Sequence, residues 1–156
     1  MPQSISKSAL VPYSVEQMYA LVADIESYPS FLSWCSATEV LSSGDNVGDS
    51  LDVDSGAAQQ VIARIDINFR GVKQSFTTSN INQAPQKISM SLHESTAFNQ
   101  MQGQWRFIDL GEGCKIEFEL EFTIRSSLLA GVIGKVFGFI ASTQIDGFVK
   151  RAQQLY

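Results

Sequence analysis

The sequence predicts an α+β fold: a curved antiparallel sheet of about seven strands around one long C-terminal helix, with two short helices after the first strand. Three observations carry the prediction. Between Val61 and Ile124, apolar and polar residues alternate in runs separated by turn residues, the pattern of strands with one wet face. From Ser127 to Tyr156 the period changes. Leu129, Val132, Ile133, Val136, Phe137, Ile140, Ala141, Ile145, Phe148, Val149, Ala152 and Leu155 recur mostly in threes and fours, one face of a continuous helix. Roughly 28 such residues rise about 42 Å, and the apolar face of so long a helix needs a cover. Third, a helix-start signal stands before the sheet proper, where Ser14 is followed three residues on by Gln17.

In chain order, Gln3 to Val11 is a strand candidate that Pro12 stops. Val15, Met18, Tyr19 and Val22 then fall at helical spacing, predicting a short amphipathic helix from Val15 to about Asp24. The aromatic segment Tyr28-Pro29-Ser30-Phe31-Leu32-Ser33-Trp34-Cys35 connects helix to sheet, as a hydrophobic plug or as the mouth of a ligand site. Thr38 to Leu41 reads as a strand. Ser42 to Gln60 reads as a polar loop with a short strand at Leu51 to Val53, and its aspartates (Asp45, Asp49, Asp52, Asp54) do not have calcium-loop spacing.

Val61, Ala63, Ile65, Ile67 and Phe69 share one face of the next strand, and Gly71 turns it. Lys73 to Ile81 follows, carrying Phe76; then, after Pro85, comes the strand of Ile88, Met90 and Leu92. Met101, Gly103, Trp105 and Phe107 line a further strand. Past the turn Gly111-Glu112-Gly113, Ile116, Phe118, Leu120, Phe122 and Ile124 alternate with Glu117, Glu119, Glu121 and Thr123. No repeat or linker divides the chain, so residues 1–156 read as a single domain.

The chain carries a net charge of −5, which argues against general nucleic-acid or DNA binding, because phosphate attraction needs a basic surface. A hydrophobic content of 44% supplies a sizeable core. The N-terminus lacks a long apolar run, and Cys35 and Cys114 are the only cysteines; the expectation is a reducing cytoplasm without a disulfide. Lys135 interrupts the apolar run Leu128 to Ala141, which is short for a bilayer, so no stable membrane insertion is expected.

Chemistry is sparse. His93 is the sole histidine, on the polar face of its strand, so a metal centre built on several histidines is ruled out. No phosphate loop, dinucleotide fingerprint or nucleophile elbow occurs. The glutamates Glu117, Glu119 and Glu121 form a solvated ladder. No catalytic residue and no cofactor is expected. What stands out is an excess of inward aromatics: Phe31, Trp34, Phe69, Phe76, Trp105, Phe107, Phe118, Phe122, Phe137 and Phe148. A curved sheet around one helix leaves room for an apolar ligand. Gly131, Gly134 and Gly138 each cost the helix roughly 1 kcal/mol relative to Ala, which suits close packing, a ligand wall or a movable segment.

Four motifs resemble one family in the same order along the chain: Ser8-Ala9-Leu10-Val11-Pro12-Tyr13-Ser14, Tyr28-Pro29-x-Phe31-Leu32-x-Trp34-Cys35, Gln74-Ser75-Phe76-Thr77-Thr78 and Gly103-x-Trp105-x-Phe107. It is the bacterial ribosome association toxin family, which includes the mitochondrial coenzyme Q-binding proteins. These belong to the polyketide cyclase/dehydrase and lipid-transport superfamily, with the START-like helix-grip fold. The resemblance implies such a domain without metal or covalent cofactor. It departs from the pattern in a longer Gly44–Gln60 segment and in Ser95–Gln100, where a more basic stretch is expected; that loss of positive charge weakens the ribosome-directed reading.

Two readings follow from the resemblance. In the first, the protein is a non-enzymatic binder of a ubiquinone-like lipid supporting respiration. The ring enters past Phe31 and Trp34, aromatic residues Phe69, Phe76, Trp105, Phe107, Phe118 and Phe122 surround the ligand, and the tail lies along Val132, Val136, Phe137 and Ile140. In the second, a ribosome association toxin-like factor binds the large ribosomal subunit through Arg64, Arg70 and Lys73 and blocks subunit joining. A cyclase-like enzyme is a third alternative, resting on superfamily analogy alone.

Overall fold

The computed structural model describes residues 3–45, 58–125 and 130–156. Strand β1 (Gln3–Val11) leads into helix α1 (Val15–Ala23) and a 3₁₀ turn (Ile25–Ser30). Then come β2 (Cys35–Asp45), β3 (Gln59–Phe69), β4 (Val72–Gln83), β5 (Lys87–Ser95), β6 (Phe98–Asp109) and β7 (Cys114–Ile124). Helices α2 (Ala130–Ser142) and α3 (Gln144–Leu155) close the chain. The expected strand at Leu51–Val53 lies outside the described residues.

The seven strands form one antiparallel sheet in the order β1-β7-β6-β5-β4-β3-β2. Strands β2 to β7 are a meander, and β1 returns to pair with β7 over its whole length, from Gln3 opposite Phe122 to Val11 opposite Cys114. Alternation in β3 and β7 is as the sequence predicts: Val61, Ala63, Ile65 and Ile67 are buried, as are Ile116, Phe118, Leu120 and Phe122. Strand β2 is longer than expected. Bulges between Cys35 and Ala37 and between Val40 and Ser42 break its period of two, which hid its full extent from a pattern reading.

The α1 capping box forms as predicted. The Gln17 backbone N–H donates to Ser14 Oγ (3.1 Å), and the Ser14 N–H donates to Gln17 Oε1 (3.0 Å). The long C-terminal helix is present as predicted, but it is bent, with an interruption at Thr143 between α2 and α3. There the Thr143 N–H is shared between the carbonyls of Phe139 (3.1 Å) and Ile140 (3.2 Å). The hydroxyls of Ser142 and Thr143 donate to the same two carbonyls, at 2.8 and 3.1 Å. Paired back-bonding of this kind bends helices. Both halves still lie on the sheet, burying Ile133, Phe137, Ile140 and Ala141 from α2 and Ile145, Phe148 and Ala152 from α3. Ala130–Leu155 is long and apolar enough to cross a membrane by length and composition alone, yet 39% of its apolar window is buried against the rest of the fold.

The glycines of α2 have a packing explanation in one case. A Cβ at Gly134 would stand 2.8 Å from Gln3 Nε2, so the side chain of β1's first residue crosses the helix where this glycine admits it. Gly138 also faces Gln3, at 3.6 Å.

Candidate functional site

Between the sheet and the two helices the aromatic side chains gather into two groups. In the first, Phe137 of α2 meets Phe98 and Phe122 with ring centroids 4.8 Å apart and Phe76 at 5.7 Å. In the second, Phe148 of α3 meets Tyr28 and Trp105, both at 5.3 Å, and Phe31 at 5.4 Å. Most of these contacts are edge-to-face, the arrangement that aromatic quadrupoles favour.

An internal cavity of about 60 Å³ adjoins both groups. Its aromatic walls are Tyr28, Trp34, Phe76, Trp105, Phe118 and Phe137. Ile65, Met90, Met101, Leu120, Ile140 and Ala141 supply aliphatic surface. Into this apolar space project Thr78 and Asn80 of β4 and Gln144 at the start of α3. A neighbouring recess of about 10 Å³ shares Asn80 and Met90 and adds Asn82. Thr78, Asn80 and Asn82 are 1%, 5% and 6% exposed. The buried oxygens Thr78 Oγ1, Asn80 Oδ1, Asn82 Oδ1 and Gln144 Oε1 have no hydrogen-bond partner in the protein. Leaving such groups unsatisfied costs about 1–3 kcal/mol each, so the space has hydrogen-bonding capacity that water or a ligand can take up. At ~10–15 Å³ per molecule, the cavity takes about four to six waters.

Register explains why these polar groups point inward. Phe76 stands opposite Ile65 of β3, Thr78 opposite Ala63, Asn80 opposite Val61 and Asn82 opposite Gln59, so the inward face of β4 is aromatic at one end and amide-bearing along the rest. Sequence reasoning missed this row because it followed aromatics. Counting by twos from Phe76 was the signal that finds it.

The predicted ligand residues divide. Trp34, Phe76, Trp105, Phe118, Phe137 and Ile140 line the cavity. The others pack elsewhere. Phe122 belongs to the aromatic group around Phe137, and Phe107 lies behind Trp105, in edge contact with Tyr19 at 5.6 Å. Phe31 is half-buried beneath the guanidinium of Arg151 (5.1 Å), and Phe69 stacks on Phe139. Val136 is half-buried against the core. Val132 corrects the reading of an inward tail path: it is 53% exposed, on the far side of α2 from the cavity.

The proposed ribosome-facing cations are differently placed. Arg64 is held by carboxylates, with Nη1 2.6 Å from Glu39 Oε1 and Nε 3.0 Å from Asp66 Oδ1. Those hydrogen bonds raise its already high pKa. Arg70 lies over the rings of Phe69 and Phe139, and Lys73 is exposed beside the same hairpin turn.

No carboxylate, imidazole or amine is among the described residues lining the cavity. Tyr28 is its one phenol; the hydroxyl donates to the Val22 carbonyl, and burial, then the charges of Cys35 and Asp24, push its pKa above the ordinary range. Cys35, buried near Asp66, is pushed up to about 11, and burial raises Cys114 as well, so neither thiol is poised as a nucleophile. Among the described residues no group of three or more His, Cys, Asp or Glu could hold a metal ion. A larger depression of about 650 Å³ lies on the sheet around Gly103, but it is open and edged by Ser, Gln and Glu side chains.

The sequence profile of the polyketide cyclase/dehydrase and lipid transport family matches residues 11–149. The chain is 38% identical over 157 aligned residues to the ribosome association toxin RatA of Escherichia coli K12, covering all of this chain and 90% of that protein. It is 26% identical to the mitochondrial coenzyme Q-binding protein COQ10 homolog B of Xenopus laevis, covering 97% of this chain and 58% of that one. A START superfamily protein from Mycobacterium smegmatis superposes with a TM-score of 0.76 at 19% identity, over 98% of this chain and 99% of the other. The Zhui aromatase/cyclase from a Streptomyces species superposes with 0.75 at 16% identity, over 99% and 95%. The chain belongs to the polyketide cyclase/dehydrase and lipid transport family, on the branch that holds the ribosome association toxins and coenzyme Q-binding proteins, and has the START-like helix-grip fold.

Proposed function

We propose that the protein is a non-enzymatic binder of an apolar molecule with a polar ring, of the ubiquinone class, held between the sheet and α2. One observation carries this reading: an aromatic-walled interior contains three buried oxygens, of Thr78, Asn80 and Gln144, that the protein itself leaves without partners. The Thr78 hydroxyl donates to a quinone carbonyl, whereas the unpaired Asn80 Oδ1 and Gln144 Oε1 are acceptors and take their hydrogen bonds from water or from the hydroxyls of the reduced ring. The similarity to a coenzyme Q-binding protein supports the ligand class. No carboxylate, imidazole or amine is among the described lining residues and the Tyr28 hydroxyl is tied to the Val22 carbonyl, which supports binding without turnover.

Size sets a condition. Ligand pockets commonly measure ~300 Å³ or more. With about 60 Å³ present, binding a ring and tail requires α2 to shift or the flexible Met90 and Met101 to repack. Mass spectrometry of organic extract from purified protein tests for a native ligand. A titration with short-tailed ubiquinone follows emission from Trp34 and Trp105, both of which line the cavity. Quenching is expected, and Ala141→Phe, which fills the space, weakens it more than it lowers the melting temperature. A parent protein showing neither quenching nor a thermal shift, against a two-tryptophan control for quinone aggregates, overturns the proposal.

The 38% identity to RatA over the whole chain favours a second reading, a factor that binds the large ribosomal subunit and blocks subunit joining. Sucrose gradients with added protein test it. Of the three proposed cations, Arg70 and Lys73 are the ones free of carboxylates among the described ion pairs, so Arg70→Ala with Lys73→Ala should abolish the effect and Arg64→Ala should not.

A further inference from the structure

We propose that the outer face of α2, extended by the β3–β4 hairpin tip, docks the protein onto an anionic lipid surface. The inner face of α2 is buried through Ile133, Phe137 and Ile140. Its opposite stripe runs Val132, Lys135, Val136, Phe139, with Val132 53% and Phe139 43% exposed. Continuing along α3, the exposed positions become Asp146, Lys150, Gln153 and Gln154, and exposed apolar surface returns only at its end, at Leu155 and Tyr156.

The hairpin tip enlarges this patch. Phe69 stacks on Phe139 with centroids 6.0 Å apart and planes 9° from parallel. The Arg70 guanidinium lies 5.0 and 4.5 Å from the two ring centres. Arg70 reaches that position with a φ of 51°, the left-handed region that a non-glycine residue rarely occupies.

Charge selects the partner. The chain has a net charge of −5, yet it carries no Asp or Glu between Asp66 and Glu94, or between Glu121 and Asp146. Those two acid-free stretches supply the hairpin tip and α2. Arg70, Lys73 and Lys135 are exposed there. Exposed Val and Phe beside cations suit the boundary of an anionic bilayer, where apolar burial and electrostatic attraction add. RNA binding would use the cations and leave the exposed Val132 without a role, so the lipid surface accounts for more of the patch. Docked this way, α2 has Phe137, Ile140 and Ala141 on the cavity and its other face on the bilayer. The helix is then the wall between an apolar ligand's source and its binding site.

Flotation of purified protein with phosphatidylcholine vesicles containing about a third phosphatidylglycerol tests the inference, and it needs no bound ligand, so it stands or falls apart from quinone binding. The parent should float with these vesicles, and far less with phosphatidylcholine alone or in high salt. Val132→Ser with Phe139→Ser should cut the bound fraction about tenfold or more. Each of Lys73→Glu and Lys135→Glu should cost about fivefold or more. Val132→Trp, which adds an interfacial anchor at a site without core packing, should raise binding and needs no other contact to be lost. A parent that stays at the bottom of the gradient, or a Val132→Ser/Phe139→Ser protein with an unchanged melt that floats like the parent, overturns it. So does retention of ribosomal RNA, indifferent to the apolar substitutions, by a parent that ignores vesicles.

Discussion

Strand β4 passes through two interiors that are finished in opposite ways. At Phe76 it enters an aromatic group in which Phe98, Phe122 and Phe137 meet ring to ring. Two residues further on, at Thr78, it enters a space where buried oxygens lack partners and two methionines stand in the wall. Both regions lie under the same helix and on the same face of the same strand. The first is what stability alone selects. The second carries buried oxygens that the protein does not pair, which is the feature that the proposed ligand site rests on.

The contrast predicts a graded series. Phe98→Ala, in the aromatic group, should cost about 3–5 kcal/mol, because it empties a site with three ring contacts and no exposure. Against a usual total of ~5–15 kcal/mol, urea denaturation will register it plainly. A loss below about 1 kcal/mol would show that the group collapses around the gap and is not the rigid half.

Alkaline pH probes the polar half. Tyr28 is its one ionisable wall, and burial holds its phenol above the ordinary tyrosine value of 10.0, so the fold favours the protonated form. That contribution is complete below pH 10 and is lost as pH rises above it, by at most about 1.4 kcal/mol per pH unit. Tyr28→Phe should flatten the decline, whereas an identical alkaline profile in that variant would place the titration elsewhere.

Asn80→Leu should leave stability unchanged or raise it by up to about 1 kcal/mol, since it removes a buried oxygen without a partner. The same change should weaken quinone quenching severalfold. A drop in melting temperature of several degrees would mean that the amide is held by contacts that stabilise the fold. Thr78→Val, the smallest change, should shift stability by about 0.5 kcal/mol or less and lower ligand affinity more than it alters the melt.

Much of this architecture was legible where side chains answer only to their own strand or helix. The alternation of β3 and β7 and the Ser14–Gln17 cap depend on local periodicity and local hydrogen bonds, and both were readable. The break at Thr143 was not, because helical spacing continues across it and only the Ser142–Thr143 hydroxyls betray it. Arg64 shows the limit most clearly. Register alone places Glu39 directly opposite it, and that pairing turns a free cation into a neutralised one. Of the site, the wall residues Trp34, Phe76, Trp105 and Phe137 were legible as inward aromatics. The amide row was missed because polar residues on a strand are ordinarily assigned to the wet face.

The pairing of β1 with β7 also sets a timetable. Synthesis delivers Gln3–Val11 first, but its partner Cys114–Ile124 emerges about a hundred residues later, which at ~5–20 residues per second is roughly 5–20 s. Throughout that interval the first strand has no native neighbour in the sheet. The helices that cover the aromatic face come later still, so a nascent chain halted near Arg125 would expose Phe98, Phe118, Phe122 and Trp105 together. The protein therefore passes an adhesive moment just before α2 and α3 are made, and slow decoding of the stretch before α2 would tax its yield more than slow decoding anywhere earlier in the sheet.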